Sequence, residues 1–422
     1  MRLLAGKCYL KRSWLGPLLE RSSAIDSNLI RRREIDSERP SRGTVIILCP
    51  GGLEHGGGIG RQMGYFLQAQ DAARGKVRYR VVDPRGPWYI ADSPLYLGRA
   101  MPYFTGAVLA LIQARLLSAP CLAHVNIAGR GSTIRKVVLT TVARALGMRY
   151  VLHLHDPNYA DYYLGRGTIL KTLIATAFGR AAAVVVLGTQ DQNVISQLLR
   201  VPKDRVAILP NAVPDPMSSV ARKPRTGKTC HLLFLGRLSA RKGVPELLRA
   251  LASPAMTSLH WHATLAGDGP LNEFRKLADD LGILGRMRFP GWLDESGVRQ
   301  LCADADILVL PSRGEGLAMS VLEGLSHGLA VVTTPVGAHL EVIESEVSGI
   351  FVPPGDVPAL ASALARVIDD ESLRRRLGIG ARERFLKEFH IRRYASRLGQ
   401  LHAGLLGYEH AEPEPIEEGQ NT

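Results

Sequence analysis

The same local pattern occurs twice in this chain: an apolar strand, then a glycine-rich loop, then a helix. The first strand is predicted at residues 44–49 with its loop at 50–60, and the second at residues 231–235 with its loop at 236–243. Each further strand-like run is also followed by a helix-like run, which is typical of parallel α/β sheets. The sequence therefore predicts an α/β protein of two doubly wound, Rossmann-like domains that face each other across a cleft.

The same pattern predicts where the domains begin and end. Residues 211–229 are rich in Pro, Ser, Lys and Arg, which is typical of a linker. In chain order we expect a poorly ordered basic extension at 1–43, a first Rossmann-like domain at 44–210, the linker at 211–229, a second Rossmann-like domain at 230–390, a helix at 391–408 that packs back on the first domain, and a disordered acidic tail at 409–422.

The charge of the chain is concentrated in its first half. Residues 1–200 hold 27 Lys and Arg against 12 Asp and Glu, whereas residues 201–422 hold 26 against 27. A basic half indicates an anionic partner, for which nucleic acid and an anionic membrane surface are the candidates. No aromatic-interleaved basic motif is present, so we expect no nucleic acid and favour the membrane. A generally basic, solvated surface is the alternative.

The sequence also bears on where the protein works. The longest apolar stretch, 103–117, is interrupted by Gln113 and Arg115, so we expect no membrane span. The first 43 residues lack the apolar core of a secretory signal. Five cysteines without a Cys-x-x-Cys pair fit reduced thiols. We therefore predict a cytoplasmic protein, with peripheral attachment to the cytoplasmic face of the membrane as a candidate.

Two glutamates bracket the start of one predicted helix. An apolar run at 305–310 leads into a glycine turn that holds Glu315, and Glu323 follows eight residues later. In a helix this separation is roughly 12 Å along the axis. Helix N-termini attract phosphates, and a ligand with a central phosphate and hydroxyls at both ends would use both carboxylates. The pattern favours a nucleotide-sugar site; the alternative is a surface loop with a solvated glutamate.

The two glycine loops differ in their chemistry. The second carries Arg237 and Lys242, which suit a diphosphate, although two solvated charges are the alternative. The first precedes a strand that ends at Asp83, as in a dinucleotide-binding domain. However, the Gly-x-Gly-x-x-Gly spacing does not occur there, so NAD is not favoured.

Two short motifs resemble metal sites. His153 and His155 lie two residues apart on a predicted strand, which places them on one face, but no third ligand is near in sequence. Asp304-Ala305-Asp306 matches the Asp-x-Asp string of metal-dependent sugar transferases, yet it straddles a helix end and a strand start. We expect Asp306 to cap or to bond locally, and we expect no metal.

Taken together, the motifs resemble those of retaining glycosyltransferases of family 4, which have the GT-B fold. The resemblance covers about residues 44–405 and follows the family's order. It is carried by Gly57-Gly58, His155-Asp156, Pro210-Asn211, Gly236-Arg237 with Lys242-Gly243, Gly267-Asp268-Gly269-Pro270, Pro311-Ser312 and the Glu315-x7-Glu323 pair. The chain departs from the family at Asn211-Ala212-Val213-Pro214, at Gly328-Leu329-Ala330 and at Gly337-Ala338.

The resemblance implies a role for each residue of the site. The catalytic residues would be His155, at the reacting face, and Glu315, which would bond the donor sugar. The donor would be held by Gly57, Gly58, Arg237, Lys242, Leu293, Gly316, Leu317, Ala318 and Glu323. Arg237 and Lys242 would hold the diphosphate, Glu323 the ribose, and Leu293 would pack on the base.

The resemblance further implies the reaction. The first domain would bind a lipid-linked or polysaccharide acceptor, and the second a nucleotide-diphosphate sugar of the UDP or GDP type. Transfer would retain the anomeric configuration without a metal or other cofactor. Two alternatives stay open: a GT-B-shaped nucleotide-sugar 2-epimerase, and a non-catalytic subunit that binds a nucleotide-sugar.

Overall fold

The computed structural model of the protein describes residues 43–54, 57–72, 77–87, 96–118, 120–129, 131–216 and 229–408. The predicted basic extension up to residue 42, most of the predicted linker and the predicted acidic tail at 409–422 lie outside the described residues.

The first half of the chain forms a six-stranded parallel sheet. Its strands are β1 (Gly43–Leu48), β2 (Val77–Val82), β3 (Cys121–Ile127), β4 (Arg149–Leu154), β5 (Ala183–Val186) and β6 (Val206–Ile208), in the order β2-β1-β3-β4-β5-β6. In the register of this sheet, Thr44 of β1 lies opposite Arg78 on one side and Cys121 on the other. The near-continuous apolar strands fit a parallel sheet that is buried on both faces.

Helices cover both faces of this sheet. They are α1 (Gly57–Ala72), α2 (Tyr96–Leu117), α3 (Gly131–Ala145), α4 (Tyr159–Leu164), α5 (Thr168–Gly179) and α6 (Thr189–Leu198). One prediction was wrong in detail: α1 begins at Gly57, inside the loop expected to reach residue 60. Glycine disfavours the helical conformation. However, a Cβ on Gly60 would lie 2.6 Å from the Gly52 carbonyl oxygen, so only glycine fits at this position of α1.

The second half repeats the architecture. Its parallel strands are β7 (Cys230–Leu235), β8 (Trp261–Ala266), β9 (Met287–Gly291), β10 (Ile307–Leu310), β11 (Ala330–Thr333) and β12 (Ile350–Phe351), in the order β12-β11-β10-β7-β8-β9. Its helices are α7 (Val244–Leu251), α8 (Pro254–Thr257), α9 (Leu271–Asp280), α10 (Glu295–Asp304), α11 (Met319–Ser326), α12 (His339–Val342), α13 (Val357–Asp369) and α14 (Glu371–Arg384). The predicted fold class, two doubly wound α/β units, is confirmed.

A last helix, α15 (Ile391–Leu406), returns to the first unit and packs on α1. Its start is tied to the chain that leaves the first sheet, because Ile391 donates its amide hydrogen to the Val213 carbonyl at 3.0 Å. Farther along, the Gln70 side-chain amide of α1 donates to the Ala395 carbonyl at 2.5 Å. Helix α15 therefore forms part of the first unit.

Helix α2 differs from the expectation for its segment. Within it, Gly98–Leu117 is long and apolar enough to cross a membrane by length and composition, although Gln113 and Arg115 were expected to prevent this. Only 28% of that stretch is buried. Ala107, Leu111 and other small or apolar side chains face the sheet, so α2 is a layer of the α/β fold with an apolar outer surface.

Three buried histidines form a chain between α15 and the first sheet. His402 of α15 contacts His124 of β3 through Nε2 and Nδ1 at 3.0 Å, and His124 contacts His153 of β4 at 3.3 Å. At the other end, the Tyr79 hydroxyl lies 3.3 Å from His402 Nδ1. Two neutral arrangements satisfy these contacts: the hydrogen bonds run from Tyr79 through His402 and His124 to His153, or in the reverse direction. Burial lowers the pKa of His124 to about 4, and it lowers the pKa of His153 and of His402 well below the usual value.

The histidine chain predicts a loss of stability in mild acid. Below an unfolded pKa of about 6.5 the unfolded chain binds protons that the native histidines do not, so stability falls as the pH drops and is unaffected above that value. Each such histidine costs about 2 kcal/mol at about pH 5. The free energy of unfolding, measured with urea, should fall between about pH 7.5 and about pH 5. We expect this fall to be smaller by about 2 kcal/mol in His402→Gln. His260→Gln, at an exposed position, is the control and should leave the difference unchanged. An unchanged difference in His402→Gln would contradict the prediction.

Candidate functional site

The candidate site lies where the carboxyl ends of the two sheets face each other. The glycine loop after β1 opens α1, and the loop after β10 opens α11. A Cβ on Gly58 would lie 3.7 Å from the Met319 side chain, so the first residues of the two helices are in contact range. Both helices direct their N-terminal amides and the positive end of their dipoles toward this region. The arrangement suits an anionic ligand.

Glu315 lies at the centre of this region and is 7% exposed. Its Oε1 atom is 2.7 Å from the Lys242 Nζ atom and 3.9 Å from an Arg241 guanidinium nitrogen. Lys242 comes from the loop after β7, so β7 and β10, which are neighbours in the sheet, bring the two charges together. The sequence predicted both residues at the site, and the structure joins them as an ion pair.

Tight backbone contacts fix the position of the loop that holds Glu315. Gly337 has φ +54°, and a Cβ there would overlap the Glu315 carbonyl oxygen. Gly243 has φ +72°, and a Cβ there would overlap the Pro311 carbonyl oxygen. Both positions therefore require glycine for conformation and for space. The loops after β7, β10 and β11 are thus packed against one another around Glu315.

The residues after Glu315 contact the first unit. A Cβ on Gly316 would lie 3.1 Å from the His155 carbonyl oxygen, and the Leu317 carbonyl accepts a hydrogen bond from the Asn211 side chain at 3.1 Å. Of the three amides expected to line a donor, that of Ala318 instead donates to His339 Nε2 at 3.4 Å. His339, which sequence reasoning did not single out, therefore holds the start of α11.

Glu323 is engaged by a residue that the sequence did not predict. Arg61 of α1 places Nη1 2.8 Å from Glu323 Oε1, across the gap between the units. Burial raises the pKa of Glu323, and the neighbouring Arg61 opposes that rise. The only sequence signal for Arg61 was its place in the helix that follows the first glycine loop.

Arg237, the other predicted cation, is more exposed to solvent than Lys242. Arg237 has a side chain that is 67% exposed, and its Nη1 lies 3.2 Å from Asp268 Oδ2. The Lys242 side chain is largely covered and passes beside Gly236. The loop after β7 therefore presents one enclosed cation and one solvated cation. Leu293 follows the carboxyl end of the edge strand β9 and packs partly buried against the core, whereas its neighbour Trp292 is exposed.

His155 is fixed by Asn126, which sequence reasoning missed. The Asn126 side-chain nitrogen donates to the Leu48 carbonyl at 3.4 Å, so its oxygen faces His155 Nε2 at 2.8 Å. A carbonyl cannot donate, so this orientation requires the proton of His155 on Nε2 and leaves Nδ1 as an acceptor. The pKa of His155 is lowered to about 3, mainly by burial and to a lesser extent by the nearby His124. The imidazole is therefore neutral near pH 7.

Several other candidate residues have structural roles. Asp156 accepts the Gly129 amide at 2.6 Å, and Asp83 accepts the Gly51 amide at 2.7 Å, so Asp83 holds the glycine loop. Asp306 accepts the His231 amide at 2.8 Å, which is a bond to the neighbouring strand rather than the local cap expected. Among the described residues, no three His, Cys, Asp or Glu side chains are arranged to hold a metal.

The Asn126–His155 contact predicts one tautomer. Imidazole nitrogen NMR shifts should report a neutral His155 with its proton on Nε2. Asn126→Asp places a carboxylate at that nitrogen, which should raise the pKa of His155 by about one to three units. Asn158→Asp, on an exposed turn nearby, is the control and should have little effect. A proton on Nδ1, or equal effects of the two variants, would show that Asn126 does not position His155.

Comparison with known proteins places this geometry in context. A family profile described as Glycosyl transferases group 1 matches residues 229–370. Alpha-D-kanosaminyltransferase of Streptomyces kanamyceticus is 27% identical over 57% of this chain and 66% of its own length, so the chain spans just under two thirds of that relative. Phosphatidyl-myo-inositol mannosyltransferase of Mycobacterium leprae is 27% identical over 79% of this chain and 89% of its own length.

A solved structure supports the fold. HepE from Anabaena, in complex with UDP-glucose, aligns with a TM-score of 0.65 over 86% of this chain and 99% of its own, at 17% sequence identity. At that identity the likeness bears on the fold alone. The two facing parallel sheets and these likenesses together show that the chain has the GT-B fold and is similar to glycosyltransferases.

Proposed function

We propose that the protein transfers a sugar from a UDP- or GDP-sugar to a lipid-linked or glycan acceptor, with retention of configuration and without a metal. The observation that carries the proposal is the ion pair of Lys242 with Glu315, 2.7 Å apart, beside the N-terminus of α11. This arrangement offers a cation and backbone amides to a diphosphate and a carboxylate to sugar hydroxyls.

The donor would lie along the second unit, from Leu293 to Glu315. Leu293 would pack on the base, and Glu323 would accept hydrogen bonds from the ribose hydroxyls. Arg237 and Lys242 would hold the diphosphate, with Gly57 and Gly58 close to it from the first unit. The amides of Gly316 and Leu317 would contact the sugar and phosphate, whereas the Ala318 amide would have to leave His339 to do so.

Two ion pairs of the site would change when the donor binds. Lys242 would turn from Glu315 toward the diphosphate, which frees the carboxylate for the sugar. Arg61 would share or release Glu323. These two ion pairs thus neutralise the buried carboxylates, and the ligand would supply their new partners.

The chemical step needs stabilisation of the leaving diphosphate. The bond from the anomeric carbon to the phosphate oxygen breaks, and a bond to the acceptor oxygen forms on the same face. The acceptor proton passes to the departing phosphate oxygen. Arg237 and Lys242 would stabilise the developing charge in the way that a metal does in other transferases. Neutral His155 would accept a hydrogen bond from the sugar through Nδ1.

The acceptor class is supported by the relatives. The Mycobacterium leprae relative is a mannosyltransferase of phosphatidyl-myo-inositol by name, and the Streptomyces kanamyceticus relative is a kanosaminyltransferase. A transferase acting on a lipid-linked or glycan acceptor at the cytoplasmic side of a membrane fits the first of these. The 2-epimerase alternative is not favoured, because both relatives are transferases by name.

Binding of the donor can be tested by thermal unfolding with a panel of UDP- and GDP-sugars, with and without EDTA. One sugar nucleotide should raise the melting temperature, and EDTA should not change the shift. Arg237→Gln should weaken binding by about 2 kcal/mol, or roughly 30-fold in Kd. Arg249→Gln, at an exposed position of α7, is the matched control and should bind normally.

Four outcomes would contradict the proposal. A shift that requires a divalent metal would reject metal independence, and a shift with NAD alone would reopen the dinucleotide interpretation. If Glu315→Gln left both nucleotide binding and sugar transfer intact, Glu315 would have no part in the reaction. A product with inverted anomeric configuration, seen by NMR, would reject retention.

A further inference from the structure

The outward face of helix α2 carries large apolar side chains where a water-facing helix is normally polar. Met101, Leu109, Leu116 and Leu117 are all exposed, and Leu117 is 83% accessible. Positions 101, 109 and 116 lie on one side of the helix by their spacing, opposite the side that packs on β1 and β3. A single exposed leucine needs no explanation, but a stripe along a whole helix does.

The neighbouring helices continue this surface. Helix α3 packs beside α2 and exposes Ile134 and Val138, and α5 packs beside α3 and exposes Ile169 and Leu173. Ile169 is 81% accessible. Three adjacent helices therefore expose large aliphatic side chains on the same side of the first sheet. We refer to the outward sides of α2, α3 and α5 as the aliphatic face.

The charge around the aliphatic face is almost entirely positive. Residues 96–180 contain ten Lys and Arg but only two acidic residues, Asp156 and Asp161. Among the cations, Arg99, Arg144 and Arg180 are exposed. A surface of this charge repels a second copy of itself and attracts an anionic one. Aliphatic side chains among cations suit the boundary between lipid headgroups and acyl chains, whereas they offer no stacking surface to nucleic acid bases.

The position of the aliphatic face agrees with the proposed acceptor. Helices α2 and α3 follow β2 and β3, so their N-terminal ends lie at the carboxyl edge of the sheet, where the candidate site is. We propose that the aliphatic face docks on an anionic lipid bilayer and brings the mouth of the cleft to the membrane surface. This inference rests on the proposed lipid-linked acceptor, and it adds the surface by which the enzyme reaches it.

The test is co-sedimentation of the full chain with phosphatidylcholine vesicles, without and with about one third phosphatidylglycerol. The protein should bind the anionic vesicles and be released by salt and by alkaline carbonate, as a peripheral protein is. Leu116→Ser with Leu117→Ser should weaken binding at least about tenfold, since each leucine loses its transfer into the bilayer. Ile379→Ser with Leu386→Ser, at exposed positions of the second unit, is the matched control and should bind normally.

Several results would overturn the inference. No binding to anionic vesicles would mean that another part of the chain or another partner covers the face. Equal binding by the two double variants would place the membrane contact elsewhere. A dimer that the Leu116 and Leu117 variant dissociates would make the face a self-association surface, and resistance to carbonate would indicate a membrane-spanning helix. The thermal shift with a sugar nucleotide, which should persist in both variants, separates this inference from the proposed function.

Discussion

The ion pair of Arg61 with Glu323 is the interaction on which the site depends. It joins α1 of the first unit to α11 of the second, 262 residues apart in the chain, at a donor–acceptor distance of 2.8 Å. Removal of one partner from a buried pair costs about 3–5 kcal/mol because the other charge stays buried, and the partial exposure of Arg61 reduces that cost. The pair therefore contributes to how the two halves of the candidate site face each other.

Other contacts around this ion pair also hold the two units together at the site. Asn211, at the start of the connection between the units, holds the Leu317 carbonyl, and Gly58 leaves room for Met319. Glycines at 243 and 337 admit neighbouring carbonyl oxygens that any side chain would displace. The N-termini of α1 and α11 therefore lie at the same cleft between the units. A ligand that enters this cleft contacts amides and cations from both units.

The fold was predictable from the sequence, whereas several partners in the site were not. Alternating strand and helix patterns specify parallel α/β units, and the Glu315 and Lys242 motifs follow strands that are neighbours in one sheet. Arg61, Asn126 and His339 carry no such local pattern. Their roles arise from contacts between elements far apart in the chain, and neither periodicity nor spacing encodes those contacts.

Helix α2 illustrates the same distinction. Composition showed an apolar segment with two polar interruptions, but it could not tell which side the sheet would cover. The structure buries its alanines, including Ala107 and Ala114, and leaves Leu116 and Leu117 outside. Small residues permit close packing on the sheet, and the large aliphatic residues remain for a partner surface.

A double-mutant cycle on Arg61 and Glu323, read out by calorimetric titration with UDP and GDP, tests the central claim most directly. If Glu323 releases Arg61 and binds the ribose hydroxyls when the donor enters, Glu323→Gln should weaken nucleotide binding. Arg61→Gln should change both the free energy of unfolding and the affinity for the nucleotide. The effects on stability should be non-additive by about 1–3 kcal/mol, because the residues contact each other. Additive effects, with nucleotide affinity unchanged in Glu323→Gln, would contradict the claim that this ion pair joins the units at the donor site.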